Sequence, residues 1–169
     1  GLVANRVLSL CQDPYGFIWA ATDYGLERFD GSHFRHFRQK DYPILPREDL
    51  LMANYMPDGK VMIGSFNGLL MEYNPLTDRF ANVMPDEFNK SYYRHISGIY
   101  IAPKGDRYVY TTGSIFRYNP RTHKYDTSTP LFHTFQYQFI RSMLIDRYGQ
   151  TWVGTSDKLS VCDARGKEM

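Results

Sequence analysis

Apolar and polar residues alternate along this chain in short runs, and Gly, Pro, Asp and Asn interrupt the runs at regular intervals. That pattern predicts strands joined by tight turns, because Gly supplies positive φ and Asp or Pro starts a turn. In the first stretch Val7–Gln12 reads as a strand, Asp13-Pro14-Tyr15-Gly16 as a turn and Phe17–Thr22 as a second strand. Asp23-Tyr24-Gly25 then turns the chain into Leu26–Phe29, and Asp30-Gly31-Ser32 turns it into Phe34–Arg38.

The same sentence is written four times. Gly16, Gly59, Gly105 and Gly149 each close a turn, spaced by 43, 46 and 44 residues. The flanks keep register with them. Val7, Leu50, Ile96 and Ile140 stand nine residues before, and Trp19, Met62, Tyr108 and Trp152 three after. A hydroxyl residue stands six after each: Thr22, Ser65, Thr111 and Thr155. The later turns keep turn chemistry too, with Phe66-Asn67-Gly68 in the second unit and Asn74-Pro75 and Asn119-Pro120 further on.

Four short antiparallel strands in a unit of about 44 residues is the blade pattern of a β-propeller, whereas solenoid coils run shorter. The fold class expected is therefore all-β, a propeller segment of about four blades over 5–40, 47–84, 94–128 and 138–169. Strands apolar on both faces, such as Phe17-Ile18-Trp19-Ala20-Ala21, suit a sheet covered on both sides. Trp19 and Trp152 share one repeat position and are expected to serve blade-to-blade packing. The fourth unit is expected to lack its outermost strand. An open array would leave apolar faces bare, so the chain is expected to be a segment of a longer propeller or to bury its ends.

Composition narrows the function classes. A net charge of +2, with no Lys/Arg run, speaks against a nucleic-acid partner. No apolar run is long enough to span a membrane, and direct membrane contact is not expected of this segment. Cys11 and Cys162 show no metal-type spacing and read as small strand residues. Nucleophile-elbow, zinc-protease and phosphate-loop motifs are absent, so no catalytic residue, metal or cofactor is expected. Asp13, Asp58 and Asp146 read as turn residues, and the five histidines as scattered strand or surface positions.

A ligand site, if the segment holds one, is expected at the end where each first strand begins and each middle turn sits. That end collects Asn5, Arg6, Asp23, Tyr24, Asn67, Arg94 and His95, with Glu48 and Asp49 nearby. Amide, charged and aromatic groups converging there suit a glycan or oligosaccharide ligand.

The first unit carries a more specific pattern: Gly1-Leu2-x-x-Asn5-x-Val7, Gln12-Asp13-x-x-Gly16-Phe17-Ile18-Trp19 and Thr22-x-x-Gly25-Leu26-x-Arg28-Phe29-Asp30-Gly31. Asp146-x-x-Gly149-Gln150-Thr151-Trp152-Val153-Gly154-Thr155 repeats it in shorter form. These motifs resemble the two-component regulator propeller repeats that open the periplasmic sensor regions of Bacteroidetes hybrid two-component systems. Ala21 departs from that pattern, which commonly has Gly there, as do Met62 and Tyr108 where Trp is usual. The resemblance implies seven-bladed rings, a glycan-responsive ectodomain of an inner-membrane histidine kinase, and a homodimeric parent whose remaining blades are this segment's partners. The alternatives are a carbohydrate-active propeller enzyme, an interaction scaffold, or the sensor of a diguanylate cyclase.

Overall fold

The computed structural model describes residues 1–46, 50–85 and 95–169 as strands, turns and one short helix. The chain divides into two compact units, Gly1–Val83 and Met84–Met169, each holding two antiparallel sheets. In the first unit, blade 1 is β1 (Val7–Gln12), β2 (Ile18–Thr22), β3 (Gly25–Phe29) and β4 (Phe34–Phe37), hydrogen-bonded in that order. Blade 2 is β5 (Leu50–Tyr55), β6 (Val61–Ser65), β7 (Leu70–Asn74) and β8 (Arg79–Asn82). In the second unit, blade 3 is β9 (Ile96–Ile101), β10 (Arg107–Thr111), β11 (Ile115–Asn119) and β12 (Lys124–Asp126). Blade 4 is β13 (Ile140–Ile145), β14 (Thr151–Thr155) and β15 (Leu159–Cys162). This is an all-β propeller segment.

The repeated residues make repeated bonds. Each first turn closes by the glycine N–H donating to the carbonyl three residues back: Gly16 to Asp13, Gly59 to Met56, Gly105 to Ala102 and Gly149 to Asp146. Each recurring hydroxyl knits the middle turn. Thr22 Oγ1 donates to Gly25 O at 2.7 Å and accepts from Tyr24 N, and Ser65, Thr111 and Thr155 bond their own turns likewise. One extra residue in each first strand shifts the register at the same repeat position, a bulge that strengthens the local twist. Glycine is obligatory at Gly25, where φ is +117° and an added Cβ would lie 2.7 Å from Phe37 O.

Asp13 has a larger role than turn formation. Its Oδ1 accepts from the Tyr15 and Phe17 backbone amides at 3.0 Å, and its Oδ2 accepts from Trp19 Nε1 at 2.9 Å. Asp146 holds Tyr148, Gln150 and Trp152 in the same way, with the indole bond at 3.0 Å. A buried indole N–H without an acceptor is costly, so the carboxylate lets a large ring enter the space between sheets. Blades 2 and 3 have neither partner: Met56 and Met62 stand at those positions in one, Ala102 and Tyr108 in the other.

The first unit's core lies between its two sheets. Trp19, Ala21, Leu26 and Phe37 of blade 1 meet Ala53, Ile63, Met71 and Tyr73 of blade 2. Phe37 and Tyr73 stack edge to face at 5.0 Å, and Trp19 lies 5.5 Å from Tyr73. Burying Phe37 stabilises by about 2 kcal/mol on area alone. Ser9 Oγ bonds both Ala53 O and Ala53 N, and Cys11 bonds the Tyr55 backbone, so β1 and β5 run parallel, offset by one repeat. At the rim Asp78, with φ +54°, accepts from Arg35 at 2.7 Å, Tyr73 at 2.7 Å and Tyr42 at 3.0 Å.

In the second unit Tyr108 and Ile115 of blade 3 meet Ile140, Met143, Val153 and Cys162 of blade 4, with Leu131 and Phe135 closing the cluster. Leu131 opens a turn of helix, α1 (Leu131–Thr134), in the connection between the blades, and Phe135 caps its C-terminal end. Trp152 lies on the opposite face of blade 4 and is half-buried beside exposed Leu144, unlike Trp19, which is 1% exposed. The fourth sheet has three strands and no outermost one among the described residues, as the sequence led us to expect. After the Asp163–Gly166 turn, Glu168 makes an isolated bridge to Cys162, and Met169 N donates to Val161 O.

Two outcomes follow from these bonds. Asp13→Ala, which orphans the indole and two amides, is expected to destabilise the chain by about 2–4 kcal/mol in urea unfolding. The same change in a Trp19→Phe background should cost about 1–2 kcal/mol less, because the indole donor is already gone. The second concerns acid. Tyr73's hydroxyl, with Arg35 and Tyr42, holds the Asp78 carboxyl below its ordinary value. A depressed folded value contributes stability that is present above the unfolded value of about 4 and lost as pH falls through the folded one. Asp78→Asn should therefore flatten the acid limb of the stability profile below about pH 4 and leave its shape near neutrality unchanged.

Candidate functional site

The end of each unit that carries the middle turns is built by short backbone bonds. Asp23 N donates to Arg6 O at 3.3 Å, which brings the residues before β1 against the β2–β3 turn. Because β1 and β5 run parallel, the β6–β7 turn lies at the same end of the first unit. Asn5, Arg6, Asp23, Tyr24 and Asn67 therefore gather there. Asn5, Arg6 and Asn67 are exposed, and Tyr24 is 60% exposed. Asn67 Oδ1 accepts from Ser65 Oγ at 2.5 Å. Asp23 Oδ1 is shielded from solvent and has no hydrogen-bond partner among the described residues. Phe66, which the sequence reading did not single out, adds a second exposed ring beside Asn67.

His95 belongs to the second unit, where its N–H bonds Thr112 Oγ1 and its carbonyl accepts from Thr112 N. That is the same strand-start to middle-turn junction as in blade 1. Arg94, Glu48 and Asp49 lie outside the described residues. Tyr137, with φ +65° and its N–H on Gly113 O, presents an exposed ring at this end of the second unit. Its signal in the sequence was faint, since it falls in the connection between repeats.

Two clefts of the second unit lie elsewhere. One, of about 260 Å³, runs between the first turns of blades 3 and 4 and is walled by Pro103, Lys104, Asp106, Ile145, Arg147 and Tyr148. The other, of about 190 Å³, opens beside it between Tyr108, Arg117, Thr129, Thr151 and Asp163. Arg117 Nη2 donates to Asp106 at 2.7 Å across the ridge between them. That bond holds the guanidinium in its charged form, and burial raises the Tyr108 phenol above its ordinary value.

Glu27, buried in β3, is paired with both His36 and Arg38. Burial pushes the Cys11 thiol up to about 11 and raises Cys162 as well, which keeps both in the unreactive protonated form. Among the described residues no group of three His, Cys, Asp or Glu side chains is placed to hold a metal ion. No helix among them is long and apolar enough to cross a membrane.

Comparison with known proteins places this architecture. Residues 1–24 and 134–157 match the two-component regulator propeller family. No curated protein matches the sequence. The extracellular domain of the hybrid two-component system BT4673 from B. thetaiotaomicron superposes with a TM-score of 0.78 at 19% identity over 97% of this chain and 22% of that one. The extracellular domain of BT3049 from the same organism gives 0.65 at 20% identity, over 100% of this chain and 30% of that one. Virginiamycin B lyase from Staphylococcus aureus gives 0.70 at 9% identity, over 97% and 54%. At these identities the likeness is one of fold, and the chain spans less than a third of the two extracellular domains.

Proposed function

We propose, for a chain that carries two-component regulator propeller repeats in a β-propeller segment, a role in the extracytoplasmic sensor region of a two-component signalling protein. The observation that carries this reading is the match of residues 1–24 and 134–157 to that family. Both segments also contain Asp13 or Asp146 together with the first-strand start and its turn, the parts that organise a blade. The extracellular domains of two hybrid two-component systems share the fold over nearly the whole chain, which supports the same role.

In this reading the segment senses or relays and is not itself catalytic, and the parent supplies further blades, a membrane anchor, a histidine kinase and a dimer. It lies in the periplasm. Its ligand is a glycan or oligosaccharide, held at the middle-turn end. Tyr24 and Phe66 offer rings for a pyranose face, Asn67 an amide donor, Arg6 a cation, and Asp23 a carboxylate for a sugar hydroxyl. Nucleic acid has no part in it.

The reading is tested in the parent protein with an epitope inserted at Leu76, a turn residue that is 95% exposed. The epitope is expected to become accessible when the outer membrane is permeabilised with the inner membrane intact. Accessibility only after inner-membrane lysis contradicts the extracytoplasmic role. Among oligosaccharides that induce the parent's transcriptional response, Tyr24→Ala and Asn67→Ala should each raise the half-maximal dose at least fivefold. An unchanged dose would move the ligand away from this end.

A further inference from the structure

The smaller cleft of the second unit gathers polar groups that the fold leaves without partners, and their origin is visible in the repeat. Tyr108 stands where blades 1 and 4 have tryptophan. In those blades an aspartate at the turn takes the ring's N–H, but blade 3 has Ala102 at that turn position. The Tyr108 side chain is packed into the core between blades 3 and 4, the residue being 8% exposed, yet its hydroxyl bonds to nothing among the described residues and lines the cleft. Asp163 is the complementary half. It holds the Arg165 and Lys167 amides through Oδ1 at 2.9 Å, as Asp13 and Asp146 hold theirs. Its Oδ2, the atom that takes an indole in the other two, accepts no hydrogen bond among the described residues, and Asp163 lines the same cleft. Thr151, 5% exposed, adds a second hydroxyl with no partner among the described residues, and Arg117 sits across from Tyr108 in the β10–β11 register.

The Tyr108 and Thr151 hydroxyls reach the open cleft with no partner among the described residues, so a ligand's polar atoms can take the place of water there. The set fixes the ligand's chemistry. Asp163 only accepts, Arg117 only donates, and the two hydroxyls do both. Asp106 already neutralises Arg117, so an anion finds no net positive charge here. A neutral polyhydroxyl compound, whose neighbouring hydroxyls donate to a carboxylate while accepting from a guanidinium, matches all four groups. The volume of 190 Å³ is roughly the share of six waters, which suits one sugar ring. Pro130, Leu131 and Ile145 supply the apolar wall such a ring needs on its C–H face.

We infer that the cleft bounded by Tyr108, Arg117, Thr151 and Asp163 is a binding site for a single neutral pyranose. The inference stands on the cleft itself and does not depend on the signalling role. It is tested by titrating the 169-residue chain with glucose, galactose, mannose and xylose, followed by saturation-transfer NMR. Saturable millimolar binding of at least one sugar is expected, weakened at least fivefold by Tyr108→Phe, by Thr151→Val and by Asp163→Asn. Without sugar, Tyr108→Phe and Thr151→Val should leave the melting temperature unchanged or raised, because neither hydroxyl is bonded there. Absence of saturable binding to all four sugars overturns the inference, and so does binding that the folded variants leave unchanged. Variant-sensitive binding of inorganic phosphate or glycine in place of sugar overturns the ligand class.

Discussion

The structure depends on giving a tryptophan a place between two sheets without stranding its N–H. A large ring fills the space between adjacent blades better than any smaller side chain, but its donor must be satisfied away from water. An aspartate six residues earlier, on the turn that leads into the same strand, meets that need. One oxygen shapes the turn by taking two backbone amides, and the other takes the indole. Turn geometry and inter-blade packing are thereby locked into one unit. The locked pair appears in blades 1 and 4, the blades whose segments match the regulator propeller family.

Blades 2 and 3 show what happens when the pair is absent. Met62 fills its space with a side chain that has no donor, and Met56 at the turn completes an apolar solution, both being fully buried. Tyr108 instead keeps a polar tip, and Ala102 offers it nothing. The turn after β15 keeps the aspartate with no indole to receive. Two incomplete copies of one device face a single cleft, so the polar character of that cleft is a by-product of how the repeat diverged. The middle-turn end arises differently. There the recurring hydroxyl consumes the backbone's needs, which leaves Tyr24, Phe66 and Asn67 turned outward.

The repeat register, the turns and the strand order were legible in the sequence because each depends on local chemistry that recurs: glycine at positive φ, a hydroxyl at the middle turn, apolar residues at fixed offsets. Asp13 was legible only as a turn former. Its bond to Trp19 requires knowing that the ring folds back over the hairpin turn, which spacing does not show. Trp19 and Trp152 read as equivalent, yet their burial differs because burial depends on what covers the sheet face. The helix at Leu131–Thr134 sits between repeats, where Thr129-Pro130 followed by Leu131, Phe132 and Phe135 was its faint signal. The single bridge from Glu168 to Cys162 has no periodicity that could reveal it. Of the candidate site, the first unit's share was legible from topology alone. The clefts of the second unit were not, because they join residues from different blades.

The claim at the centre is that the carboxylate-bound indole is a buried, persistent bond and not a surface contact. Proton-exchange NMR on the Trp19 indole N–H measures this directly. Protection comparable to that of the β2 backbone amides is predicted, falling to the level of an exposed indole in Asp13→Asn if the fold is retained. Exchange in the unaltered chain as fast as that of a free tryptophan side chain would contradict the account.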